Sequence, residues 1–314
     1  MENKLIVHFD EMPVLANNID YLTYCNHCGT YNLGQKACVK CNEEEEISLD
    51  QVAYKTVMKH FWSRQLLNLG IYGVLFILAK DIKQIIFATL FGLVCMGAIA
   101  FIFHKYKDEL VLNEIREHLM ANKDKIKSDL SRQMSIAILD IENGNPVEAY
   151  DRFRYLAKLI DNDEVRTYKL ICLRNFSLRS DMPLELKEML QDEYNTYLVD
   201  YIYEVSKVKK DLVDDATITY VLTYKEEVLK KHKGDKILAS VLSGALKSKF
   251  LLNKYAIELR GYLKFFSRER LIRLCKMSQG IKDSVLRREL LQEVKEVVGE
   301  DEAFKGYLET LEGA

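Results

Sequence analysis

The stretch QLLNLGIYGVLFILAKDIKQIIFATLFGLVCMGAIAFIF, Gln65 to Phe103, decides the reading of the whole chain. Two long apolar runs flank Lys80-Asp81-Ile82-Lys83. The second run, Gln84 to Phe103, holds 20 residues without a charge. At about 1.5 Å of rise per residue it reaches roughly 30 Å, the thickness of a bilayer's hydrocarbon core. A charge at that depth costs about 2.5–3.5 kcal/mol on the insertion scale. The first run is shorter. Leu66 to Ala79 spans only if it lengthens backwards to Phe61, with Arg64 snorkelling to the headgroups and Trp62 in the aromatic belt. The alternative is a buried hairpin in a soluble protein, in which both helices would be core on every face. The four-residue gap allows only a tight turn, so the two helices are antiparallel neighbours. Gly70, Gly73, Ala88, Gly92 and Gly97 would let them approach closely. Asn68, Thr89 and Cys95 are too few polar groups for an ion path.

Two crossings place both ends of the chain on one face. Lys55, Lys59 and Arg64 precede the hairpin, Lys105 and Lys107 follow it, and Lys80 and Lys83 oppose them in the turn. Positive-inside counting favours cytoplasmic termini in a cell membrane. The opening MENKLIVHFDEMPVL is too short in its apolar run to be a signal peptide. Net charge is −2, from 45 basic and 47 acidic residues. Three prolines and 14 glycines in 314 residues favour a helical protein.

Upstream lies YCNHCGTYNLGQKACVKCN, Tyr24 to Asn42. Cys25-x2-Cys28 and Cys38-x2-Cys41 stand nine residues apart. Each Cys-x-x-Cys turn aims two thiolates at one point, and two such turns make the tetrahedral sulfur set that zinc prefers. Gly29 and Asn42 follow the second cysteine of each pair, where a left-handed backbone is expected. Redox dithiols, a disulfide framework and an iron centre are the competing readings. The first two want a βαβ context or an oxidising compartment. With four protein ligands no coordination position stays open, so the metal is expected to be structural. His27, inside the first turn, is expected at the surface. Cys95, Cys172 and Cys275 are scattered thiols suited to a reducing compartment.

This segment resembles the short zinc ribbon, CPxCG…CPxCG, at the N-terminus of many bacterial membrane-anchored proteins. Both proline positions differ here, being Asn26 and Val39, and the final glycine is Asn42. The resemblance implies one zinc held by a knuckle pair, and no activity.

The layout expected is mainly α. Residues 1–23 form an N-terminal segment with a short strand at KLIVHF, and 24–46 the zinc ribbon. Residues 47–63 are a linker with an interfacial helix, 64–103 the transmembrane hairpin, and 104–314 an all-helical soluble domain of α-hairpin or solenoid type. Apolar spacing from Leu110 to Ile138 predicts one long helix leaving the second span. Met134 to Asn162 reads helix, turn at Gly144-Asn145-Pro146, helix, and resembles a single tetratricopeptide-type repeat without a second copy. Helices are then predicted over 164–178, 183–208 with Asp181 as N-cap, and from Asp214 or Asp215 to Lys231. Others follow over 235–252, 255–266, 267–277, 282–298 and 302–311.

One soluble stretch could carry binding. From Leu246 to Lys276, Lys247, Lys249, Lys254, Arg260, Lys264, Arg268, Arg270, Arg273 and Lys276 face only Glu258 and Glu269, with aromatic residues interleaved. Such a surface suits anionic lipid, nucleic acid or an acidic protein. A domain tethered beside a bilayer favours the inner leaflet. The plainer and preferred account is a helical pair with aromatic residues inside and cations in water. No phosphate loop, HExxH, GxSxG or Cys–His arrangement occurs, so no catalytic residue and no small-molecule substrate is expected. The function expected is a non-enzymatic scaffold that recruits protein partners at the membrane. The alternatives are a tethered nucleic-acid-binding regulator and an accessory subunit of a transport or envelope complex.

Overall fold

The computed structural model describes residues 4–34, 37–44, 46–299, 301, 302 and 304. It is mainly helical, with twelve α-helices and one small sheet among the described residues. The chain divides into two compact units: Pro13–Asn143 with Arg152–Ile160, and Met1–Met12 with Gly144–Asp151 and Asp161–Ala314.

The first unit holds the apolar hairpin. Helix α1 (Leu49–Leu78) is 30 residues long and α2 (Ile82–Ala121) is 40. At 1.5 Å per residue they measure roughly 45 and 60 Å. The 47–63 segment and the first apolar run therefore form one continuous helix, starting at the Ser48 cap, whose hydroxyl accepts from Gln51 N–H. The turn is tighter than the gap suggested, Ala79 to Asp81, because Asp81 C=O accepts the amides of Gln84 and Ile85 and so begins α2.

Both helices are long and apolar enough to cross a membrane, and only 6% of the most apolar window of each is buried. Leu66, Ile77, Phe87 and Val94 stand exposed. The hairpin is thus largely uncovered within its own unit, unlike a soluble core helix. The two helices meet through rings: Phe61 stacks on Phe103 at 4.2 Å, and the Tyr72 ring lies where a Cβ on Gly92 would come within 3.2 Å of it. Gly92 alone among the hairpin glycines is closely approached; a Cβ on Gly70, Gly73 or Gly97 would meet nothing within 4 Å.

The expected single helix after the second span is broken. Asn122 leaves helical geometry and bonds its side-chain amide to His118 C=O at 2.8 Å, competing with the backbone ladder. Helix α3 (Lys123–Glu142) starts beyond it. The helix–turn–helix form is present: Gly144 turns with φ +78°, and Pro146 opens α4 (Pro146–Leu159), where its missing N–H costs nothing.

In the second unit, the KLIVHF segment makes one isolated parallel bridge, Leu5 with Phe176. Helix α5 (Asp163–Arg174) starts at an Asn162 cap. The helix predicted over 183–208 is half right. Met182, Leu184 and Leu186 are buried alternately along non-helical chain, a period of two rather than 3.6. Asp181 pairs with Arg179 at 2.9 Å instead of capping. Helix α6 (Thr196–Val208) begins only at Asn195, whose side chain accepts from Tyr197 and Leu198 N–H. Asp214 caps α7 (Asp215–Thr223), and a break at Tyr224 separates α8 (Lys225–Lys230). Gly234 opens α9 (Gly234–Leu242); a Cβ there would overlap the backbone of Val228 and Leu229. A 3-10 turn, Ser243–Lys247, then leads to the Ser248 cap of α10 (Lys249–Leu259). The segment predicted as helix over 255–266 instead turns at Gly261, φ +80°, into a 3-10 turn, Leu263–Phe265. Helices α11 (Arg268–Ser278) and α12 (Ser284–Val298) agree with expectation, and most of the helix predicted over 302–311 lies outside the described residues.

Candidate metal centre

Strands β1 (Leu22–Cys25), β2 (Tyr31–Leu33) and β3 (Glu46–Ser48) form an antiparallel sheet in the order β2-β1-β3. Cys25 ends β1, and the chain doubles back at once. Gly29 N–H donates to Cys25 C=O at 2.8 Å, and Cys25 N–H to Thr30 C=O at 2.9 Å. The second knuckle repeats the first: Asn42 N–H reaches Cys38 C=O at 2.8 Å, and Cys38 N–H reaches Glu43 C=O. Gly29 has φ +69° and Asn42 φ +60°, the left-handed backbone expected at both positions.

The two knuckles bring four sulfurs together. Cys25 Sγ lies 3.5 Å from Cys41 Sγ, Cys28 Sγ lies 3.4 Å from Cys38 Sγ, and all four fall within 4.8 Å of one another. Sulfurs on a tetrahedral ion at about 2.3 Å stand roughly 3.8 Å apart, so this set fits one metal ion. All four thiols are free, which sets aside the disulfide framework for these cysteines. Their acidities are split. Burial pushes the Cys25 thiol up. For Cys28 burial acts the same way, but hydrogen bonds from Thr30, Cys38 and Cys41 outweigh it and bring the thiol down to about 6. The Glu43 amide favours the Cys41 thiolate, yet burial and its three neighbouring cysteines push that thiol to about 12. Four anions this close cannot all form unaided, and a bound cation is what allows it. His27 is exposed and stands outside the group of four.

No family model matches this chain, and no curated protein or solved structure does either.

Tyr31 ties the sheet to both α2 and α3. Tyr31 is fully buried. Its N–H donates to Asp129 Oδ2 at 3.0 Å, its C=O accepts from Gln133 Nε2 at 2.9 Å, and its hydroxyl meets His118 Nε2 at 2.8 Å. Burial pushes the phenol up to about 12, with Tyr24 and Asp129 adding to the shift. Strand β3 leads without a linker into the Ser48 cap of α1. The cysteine module is thus fastened to both helices of the hairpin. Sequence reasoning missed Asp129 and Gln133. Their one signal is a pair of polar residues four apart, near Ile126 and Leu130 on a helix that should bury apolar groups.

The Leu246–Lys276 cations divide. Lys254 bonds both oxygens of Asp215 at 2.7 Å, Arg260 pairs with Glu289 at 2.8 Å, and Arg268 with Asp301 at 2.7 Å. Lys247 donates to Asp211 C=O at 2.6 Å. Lys249, Arg273 and Lys276 are exposed. Lys264 and Arg270 line a separate hollow. Of the aromatic residues, Tyr255, Tyr262 and Phe266 are buried, while Phe250 is exposed.

Proposed function

We propose that the chain is a membrane-anchored zinc-ribbon protein that works as a non-enzymatic scaffold. In this reading α1 and α2 cross the bilayer as an antiparallel pair, and both ends of the chain lie on the cytoplasmic face. One structural zinc sits on Cys25, Cys28, Cys38 and Cys41. The helical region that follows recruits protein partners.

The observation that carries the reading is the apolar hairpin, most of whose side chains stand exposed among the described residues. An uncovered surface of that size belongs against lipid or another protein. The geometry of the four sulfurs supports a closed metal site, which stabilises a fold and leaves no position for substrate.

Three experiments test it. Purified protein is expected to carry about one zinc per chain by elemental analysis, and Cys25→Ser with Cys38→Ser to lose it. Iron in the preparation, or full occupancy in the double variant, contradicts the site. A protease outside intact cells is expected to leave both flanking regions whole, and detergent-solubilised chain to bring down a protein partner by affinity capture.

A further inference from the structure

A hollow of about 570 Å³ in the second unit is lined by five cations from five separate elements. Lys207 comes from α6, Lys210 from the 3-10 turn Lys210–Leu212 after it, Lys236 from α9, Lys264 from the turn Leu263–Phe265, and Arg270 from α11. Only the last two belong to the basic stretch conspicuous in the sequence. Among the described residues no carboxylate lines the hollow. Lys207 bonds Glu204 at 3.0 Å; among the described residues the side chains of Lys210, Lys236 and Arg270 have no hydrogen bond or ion pair. Like charges gathered in a concavity repel, and folding alone gives no reason to converge them.

The Arg270 guanidinium is half-buried, and loss of water around it lowers its basicity. An arginine desolvated without a counter-charge asks for an anion. Ser267, the N-cap of the 11-residue helix α11, also lines the hollow, and its side chain makes no capping bond. The positive end of that helix therefore opens onto the same space, next to the arginine fork. The size suits a small ligand rather than a nucleic-acid strand.

We propose that this hollow binds a multiply charged phosphate group. Arg270 takes it bidentately, and Lys210, Lys236 and Lys264 neutralise the remaining charge. The group belongs either to a free phosphorylated molecule or to a lipid headgroup. The site is separate from the cysteine cluster and stands whether or not the scaffold reading holds.

The test is calorimetric titration of full-length protein in an uncharged detergent with inorganic pyrophosphate at low salt. Saturable one-site binding is expected, weakened about tenfold or more by Arg270→Gln and by Lys236→Gln. Lys276→Gln, outside the hollow, is expected to leave it unchanged. Should Arg270→Gln fail to fold, Lys210→Gln and Lys236→Gln, with exposed side chains at element ends and surfaces, carry the same comparison. In bilayer discs, loss of pyrophosphate binding when phosphate-headgroup anionic lipid is added assigns the hollow to a headgroup, and retention assigns it to a soluble phosphate. No saturable binding, or binding insensitive to these substitutions, overturns the proposal.

Discussion

Tyr31 holds the cysteine module in place, and its partners lie far along the chain. Asp129 receives its amide from 98 residues away, and Gln133 reaches its carbonyl from 102. Asp129 is buried and 3.8 Å from Arg132. Replacing it with alanine strands a buried N–H, at a cost of about 1–3 kcal/mol. Asp129→Ala is expected to lower the melting temperature of the detergent-solubilised chain measurably; Asp129→Asn, which keeps an acceptor, should lower it less. Asp215 supplies a pH effect. Hydrogen bonds from Lys254 and Tyr255 hold its carboxyl below the usual value. The stability it contributes is therefore complete above the ordinary aspartate range and is lost as pH falls through the lowered value. In acid titrations of stability, Asp215→Asn should flatten that limb, and only slightly, because the pair is exposed to solvent. At this scale the sequence was most legible where a rule is local. Gly29 and Asn42 could be placed in left-handed geometry because the knuckle demands it within four residues. The Asp129 contact left only the faint trace of two polar residues four apart, since one carboxylate on a helix looks the same whether it meets water or a distant amide.

Elements were legible where composition is extreme and misread where two periods compete. A charge-free run of 20 residues admits few structures, and α2 followed. Pro183-Leu184-Glu185-Leu186 falls inside the helix predicted over 183–208, yet with Met182 its apolar residues alternate. The structure reads its alternation as extended chain instead. The true start of α6 is a cap: Asn195 accepts from two amides, and its own side-chain amide donates to Thr167 and Gln191. Asn195→Ala is expected to destabilise the chain by about 1–2 kcal/mol, read by denaturation of the full-length protein. Equal stability of the variant and the wild type would mean that α6 draws nothing from its cap. The long predicted helices over 214–231 and 235–252 broke for a similar reason. Tyr224 leaves helical geometry and Ser248 caps a new helix, each against an apolar pattern that runs on regardless.

For the molecule as a whole, the largest free-energy question is what covers α1 and α2. Apolar surface left in water costs about 25 cal/mol per Å², so two helices exposed along most of their length could not persist unaccompanied. In the proposed arrangement lipid would cover them, with the tight Ala79–Asp81 turn at the far face. The sheet's direct run into α1, and its clamp to α2 and α3, then carry the cysteine cluster at the base of the hairpin. The most direct test is fractionation of cells expressing the full-length chain, with the membranes washed in alkaline carbonate. The chain is predicted to stay in the pellet and to be released only by detergent. A folded, monodisperse chain in the detergent-free supernatant would contradict the account.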